Sequence, residues 1–467
     1  MHTRPALQWI EAITRREVSL PQLLQLCLQR IEQTNPTLNA FVTLDVRRAE
    51  QRAAELQKQL EAGGPMPLLH GLPIGIKDTA LTAGLRTTFG SPHYRDHVPA
   101  RDDAVVARLK QAGAIILGKT NTPEFATGAN TVNELFGATL NPWNTRLSPA
   151  GSSGGSAVAV AAGMVPLAQG TDFGASVRIP AASCGIVGLR TTPGLIPNRS
   201  MHLFWDPGQV HGPLALTAED AALMLDGMTG FDPLWPISVA PPWRSALDEV
   251  RSCRDLSGLR LAYAPDIAAF GVDAQVERIC REAALRLREH GATVDEVDFA
   301  VPEGIAAYKV LRGQWMVGQQ FERLDVMAQM GPNLRGNIES GLAQSPRDLA
   351  RAEHVREAVF QKYVDLFYRY DYLLTPAAPV LPYPVTESFP ARVGTHVLEN
   401  YIDWIAPAFL VTLVGFPACS VPAGLSDSGL PVGLQIVGKR LSEPGILSVA
   451  KMVQLQNPIG LPPELPA

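Results

Sequence analysis

Two short segments of this chain combine glycine and serine in a way that could do chemistry: SPAGSSGGSA at 148–157 and TDFGASVR at 171–178. Glycine permits unusual dihedrals and close backbone approach, and a serine hydroxyl can donate and accept at once. Small residues just before Ser176 leave backbone N–H groups free to face a ligand oxygen. Serine alone is a weak nucleophile and needs a base. Neither segment contains histidine. A lysine can serve if its pKa falls from about 10.4 by roughly three units, about 4 kcal/mol, which burial can supply. Lys77 closes the apolar run PIGI and suits such burial, although a lysine at a strand end is ordinarily solvated. By composition alone the first segment also fits a flexible linker. Linkers are normally flanked by polar sequence, whereas AVAVAAGMVPLA follows here.

The elements around these residues read as a three-layer α/β protein. Ser19 is a plausible N-cap for LPQLLQLCLQRIEQ, whose Leu23, Leu24, Cys27, Leu28 and Ile31 share one face, and Asn35–Pro36 should end that helix. PIGIKD reads as a short buried strand, 103–112 as a helix and 114–117 as a strand. A helix is expected at 217–228, and late strands at YLLTPAAP and GLQIVG. Residues 240–360 are more charged and helical, and no Gly/Ser linker sets them apart. The expected organisation is one domain over 1–467, with 240–360 a helical cover on it.

Composition narrows the function. Of 467 residues 46% are apolar and 18% charged, which supports a large core and excludes disorder. The net charge is −5 and no basic face is demanded, so nucleic acid is not an expected partner. Cys27, Cys184, Cys253, Cys280 and Cys419 are odd in number, dispersed and without a CxxC pair, which fits a reducing compartment and argues against a zinc site. The nine histidines include no HExxH, so neither a metal nor another cofactor is expected. There is no signal-peptide core at the N-terminus and no window of about 18 apolar residues. The expectation is a soluble, cytoplasmic protein with no membrane partner.

The run Gly151 to Ala181, GSSGGSAVAVAAGMVPLAQGTDFGASVRIPA, resembles the signature of the amidase-signature family over about thirty positions. GLPIGIKD (Gly71 to Asp78) resembles that family's lysine motif, and GAIILGKTNTPEFA, CGIVGLRTTPG, HGPLALTAEDAALML, YLLTPAAP, GFPACSVPAG and GLPVGLQIVG are similar to further family segments. The resemblance therefore spans nearly the whole chain. It implies a mixed, largely central β-sheet covered by α-helices on both faces. It also implies a Ser–(cis)Ser–Lys relay hydrolysing a small-molecule amide or carbamate through a seryl acyl-enzyme. Lys77 matches the lysine, Ser152 the serine after a cis peptide bond, and Ser176 the nucleophile, 24 residues on. Backbone N–H groups of Phe173, Gly174, Ala175 and Ser176 match the oxyanion hole. Asp172 and Arg178 match a charged pair bracing that loop, and Ser153 and Thr171 are supporting residues. Two positions depart from the pattern: Ala175 and Ala150 stand where the family commonly has glycine.

Other motifs are weaker. GAIILGKT fits GxxxxGK[ST], but AIIL is strand-like and cannot curl around a phosphate. Cys184 reads as a buried structural thiol and His211, before Gly212–Pro213, as a turn residue. Phe136, Met201, Phe204 and Trp205 of the 201–209 loop, Trp315 with the segment near it, and Trp404 within the segment Leu398 to Pro407 could line an apolar acyl or aryl pocket, or could be core. The resemblance leaves three functions open: a free-standing amidohydrolase, the glutaminase subunit of a tRNA-dependent amidotransferase, or an inactive amidase-like binding protein. No charged pair for glutamine's α-groups is visible in the sequence. A homodimer is left open as the assembly.

Overall fold

A computed structural model of the protein describes residues 4–198 and 203–464. Eleven strands form one mixed sheet: β1 (Phe41–Leu44), β2 (Pro73–Lys77), β3 (Ile115–Thr120), β4 (Leu167–Asp172), β5 (Val187–Arg190), β6 (Val210–Ala215), β7 (Arg260–Tyr263), β8 (Thr293–Glu296), β9 (Tyr372–Pro376), β10 (Ala418–Leu425) and β11 (Pro431–Gly438). Their order across the sheet is β1-β3-β2-β4-β6-β5-β10-β11-β9-β7-β8. β3, β2 and β4 run parallel, as do β9, β7 and β8, and the middle of the sheet is antiparallel. Every residue of β2, β4, β5, β6 and β11 is buried, the pattern of strands covered on both faces. This is the α/β architecture that the resemblance implied.

The helices that matter here are α1 (Leu20–Leu38), α2 (Ala104–Gln111), α3 (Gly154–Ala161), α4 (Arg178–Cys184), α5 (Ala218–Met228), α6 (Ala274–Arg286), α7 (Gly304–Gln319), α8 (Pro346–Phe367) and α9 (Ala406–Leu413). α1 begins at Ser19 with a capping box to Gln22. It does not stop at Asn35–Pro36 but runs on to Leu38, where Asn39 takes the left-handed conformation. Pro36 removes only one hydrogen bond from the last turn, and the Asn35 side chain accepts from the N–H groups of Ala40 and Phe41, both at 2.8 Å. One apolar cluster joins α1, α3 and α5 to the sheet, through residues such as Leu24, Val158 and Leu223. A second gathers Tyr308, Tyr363, Phe409 and Trp404 around Ala175 and Ile179. The 240–360 segment does more than cover the sheet, because β7 and β8 extend its edge.

The GAIILGKT segment is buried strand, not a phosphate loop. Lys119 lies inside β3, where its ammonium donates to the Ala80 carbonyl and to Thr82 Oγ1 (3.2 Å). His211 is not in a turn either: it sits within β6, fully paired with β4. A Cβ at Gly212 would fall 1.9 Å from the Leu189 carbonyl, so glycine here allows close strand approach.

Candidate active site

β2 and β4 lie side by side and bring Lys77 and Thr171 to the same edge of the core. Lys77 is fully buried. Its Nζ lies 2.6 Å from Ser152 Oγ, 2.9 Å from Ser153 Oγ and 2.9 Å from Thr171 Oγ1. Burial pushes its pKa well below that of an ordinary lysine, and the opposing pull of Asp172 is smaller. The hydrogen bonds suit a neutral amine. The Ser153 hydroxyl donates to the Thr171 carbonyl (3.2 Å) and so accepts from Lys77. Donation to Ser153 and Thr171 uses both N–H groups of a neutral amine and leaves its lone pair for the Ser152 hydroxyl.

Ser152 and Ser153 immediately precede α3, and the Gly151–Ser152 peptide bond is cis. Gly170 lets this turn pack against β4, because a Cβ there would come within 2.9 Å of Ser153 Oγ. Ser176 lies on the loop between β4 and α4, and its carbonyl accepts from Ser153 N–H at 3.1 Å. Ser152 and Ser176 line the same small chamber, with a free volume of about 20 Å³. No hydrogen bond joins their two hydroxyls among the described residues. Such contacts often tighten only when substrate is bound.

The 172–178 loop is braced by charge. Asp172 forms an ion pair with Arg178 (2.8 Å), both side chains fully buried, and Arg190 approaches the same carboxylate at 3.4 Å. Burial alone would raise the Asp172 pKa, but Arg178 and Arg190 outweigh it and hold the carboxyl down at about 2. The N–H groups of Phe173, Gly174, Ala175 and Ser176 donate to no protein acceptor among the described residues. Ala175, where glycine was expected, is buried, its carbonyl accepts from Ile179 N–H at 2.9 Å, and it is not among the residues with positive φ. Ala150 adopts φ 61°, the left-handed region where glycine is favoured. His211 Nδ1 lies 2.9 Å from Gln169 Nε2, and burial above all, with Lys77 nearby a smaller cause, depresses its pKa to about 3. It is a neutral packing residue.

Of the aromatic pocket candidates only Trp315 lines the chamber. Its ring stacks on Phe173 at 4.1 Å. Phe204 and Trp205 are 45% and 77% exposed. Phe136 lies under Arg86 and its carbonyl accepts from Asn39, away from the chamber. Trp404 is core, edge-on to Tyr383, while its neighbours Tyr401 and Ile405 reach the chamber. Met201 lies outside the described residues. The segments around Trp315 and over 398–407 were expected to shape the pocket and do supply Arg312, Met316 and Tyr401 to the wall, though not by name; the sequence reading missed Phe125 in the wall, and Tyr308 and Arg190 behind the loop. Tyr308, Arg312 and Trp315 follow the i, i+4, i+7 spacing of one helix face, the one signal that could have found them. Among the described residues no carboxylate lines the chamber, no group of three or more His, Cys, Asp or Glu side chains is placed to hold a metal, and no helix is long and apolar enough to cross a membrane.

A mixed sheet sets a buried lysine against Ser152, which lines one small chamber with Ser176, and comparison with known proteins gives the class. Residues 22–447 match the Amidase family, and the chain belongs to it. The chain is 34% identical to an acylamidase of Rhodococcus erythropolis over 98% of its own length and 96% of the relative's. It is 36% identical to a glutamyl-tRNA(Gln) amidotransferase subunit from Roseiflexus castenholzii, over 95% and 94% of the two chains. Among solved structures, a bacterial aryl acylamidase of the amidase-signature family superposes with a TM-score of 0.89 at 27% identity, covering 97% and 96% of the two chains. The glutamyl-tRNA(Gln) amidotransferase subunit from Thermotoga maritima superposes with a TM-score of 0.75 at 28% identity, over 94% and 92%. The protein is an amidase, a hydrolase of carbon–nitrogen bonds.

Proposed function

We infer that the chain, working as one catalytic unit, hydrolyses an amide with an apolar acyl or aryl group through a covalent intermediate on Ser176. The observation that carries this reading is the buried Lys77 Nζ at 2.6 Å from Ser152 Oγ, with Ser152 and Ser176 lining one chamber. Neutral Lys77 takes the Ser152 proton as Ser152 takes that of Ser176. The Ser176 oxygen then bonds to the substrate carbonyl carbon, and negative charge gathers on the carbonyl oxygen opposite the free N–H groups of residues 173–176. The relay returns the proton to the leaving nitrogen, the C–N bond breaks and an ester on Ser176 remains. Water attacks that ester through the same relay, releasing the acid and restoring Ser176.

Phe125, Trp315, Met316 and Ile405 give the chamber an apolar wall, which supports an aryl or acyl substituent. Its free volume of about 20 Å³ is room for roughly one water. Trp315, Phe173 and Arg312 also border a second cavity of about 680 Å³, so seating a substrate involves movement of the Phe173–Trp315 stack toward that space. The amidotransferase relatives keep glutamine as a second candidate. The absence of a carboxylate from the described chamber wall disfavours it, since glutamine's α-ammonium would lack a counter-charge. The closer superposition on the aryl acylamidase points the same way. A panel of aryl amides, simple amides, carbamates and glutamine, offered to the purified chain and to Ser176→Ala, tests this. Ser176-dependent turnover of aryl amides is expected, and turnover of glutamine alone would reverse the reading.

A further inference from the structure

Two carbonyls of the loop before Ser176 are clamped from outside. Tyr308 Oη donates to the Phe173 carbonyl at 3.2 Å. Arg178 Nη2 (2.8 Å) and Thr412 Oγ1 (3.3 Å) donate to that of Gly174. Across a planar trans peptide the C=O and the following N–H point in opposite directions. These clamps therefore turn the N–H groups of Gly174 and Ala175 away from Tyr308 and Thr412. The Arg178 clamp belongs to the loop's own motif, whereas the Tyr308 clamp comes from α7, outside it.

Arg312, one turn along α7, decides how the Tyr308 hydroxyl is used. A guanidinium only donates, and Arg312 Nη1 lies 3.4 Å from Tyr308 Oη. The hydroxyl accepts there and is left with its own hydrogen for Phe173. Arg312 is 6% exposed, and its other partners, Asn337 Oδ1 (2.9 Å) and Tyr401 Oη (3.0 Å), are neutral. No carboxylate pairs with it among the described residues, so its charge is not cancelled locally. Tyr308 itself is held flat on Phe409, with ring centroids 4.0 Å apart and planes 4° from parallel.

We propose that Tyr308 and Arg312 are positioning residues of the oxyanion loop. The chain from Arg312 to Tyr308 to the Phe173 carbonyl fixes the peptide before Gly174 and polarises it, so that Gly174 N–H binds the developing oxyanion more strongly. Hydrogen bonds in series polarise one another, and a donor aimed at developing charge acts most in a buried site. The proposal rests on Ser176 being the nucleophile.

Tyr308→Phe keeps the ring and its stack and removes only the hydroxyl. On a hydrolysable aryl amide its kcat is expected to fall about 10- to 100-fold with KM changed less than about threefold, the signature of a contact that matters only in the transition state. An aryl trifluoromethyl ketone, which forms a tetrahedral adduct, should lose affinity by a similar factor. Substrate binding in a Ser176→Ala background and the melting temperature should stay unchanged. Arg312→Gln should act in the same direction, and the double variant should be little slower than the slower single variant, since both work through one chain. If Arg312→Gln melts early, Tyr308→Phe decides alone. An unchanged kcat in Tyr308→Phe overturns the proposal. So does a raised KM at constant kcat, which makes Tyr308 a substrate contact. Activity that survives in Ser176→Ala removes the nucleophile instead, and that control separates the two failures.

Discussion

At the scale of single residues, the proposed relay makes Lys77 the group that sets the pH response. Its burial lowers its pKa well below 10.5, and the relay needs it neutral. The rate should therefore rise with pH as Lys77 loses its proton, and level off before an exposed lysine would titrate. Lys77→Met should lose at least about 10³-fold in kcat and with it this acidic limb, read from pH–rate profiles. Stability carries the same sign. The folded state binds fewer protons than the unfolded one between the lowered pKa and 10.5, so Lys77 makes stability increase with pH across that window, and the methionine variant should flatten the slope. Gly174 offers a steric counterpart. A Cβ there would stand 2.9 Å from Tyr308 Oη and 3.2 Å from Ile405 Cδ1. Gly174→Ala should lower kcat by about 10-fold or more by displacing the loop's donors, with little change in KM. The proposed relay of Lys77, Ser152 and Ser176 could be drawn from the sequence because its members sit in contiguous motifs, and the structure brings Lys77 to Ser152 and lines one chamber with Ser152 and Ser176. Tyr308 and Arg312 could not be, because their role depends on an approach across 135 residues of chain.

At the scale of elements, the Asp172 side chain ties the end of β4 to α4 through Arg178 and to β5 through Arg190. Removing one member of a buried ion pair leaves the other charge uncompensated, so Asp172→Asn should destabilise the fold by about 3–5 kcal/mol in chemical denaturation. The wild-type contribution has a defined pH window. The Asp172 pKa is lowered from 3.8 to about 2, so its stabilisation is fully present above pH 3.8 and is lost as the pH falls through 2. A denaturation series that shows no difference between wild type and Asp172→Asn would contradict the bracing role. Element-level reading of the sequence failed where local pattern and tertiary packing disagree. Gly212–Pro213 reads as a turn but stays extended, because Gly212 lets the Leu189 carbonyl come close, and Pro36 reads as a stop but falls in the last turn of α1. The GKT of GAIILGKT was rightly discounted as a phosphate loop, since a parallel strand pairing with β2 absorbs it.

At the scale of the whole molecule, the sheet and its helices were legible from alternating motifs along the chain, and most of the substrate pocket was not. The wall of the chamber comes from the 125–129 segment, α7 and the 401–405 segment, which only the fold brings together. Trp315 stands between the chamber and the larger cavity, so Trp315→Ala should raise kcat/KM for bulky aryl amides relative to small ones, measured across a substrate size series. An unaltered size preference would place the substrate's bulk elsewhere. The central claim, that Ser176 is the nucleophile driven by the Lys77–Ser152 pair, is tested most directly by intact-mass and peptide mapping after treatment with a fluorophosphonate. The account predicts one adduct, on Ser176, absent in Ser176→Ala and strongly slowed in Lys77→Met. An adduct on another residue, or no adduct in an enzyme that still turns over amides, would contradict it.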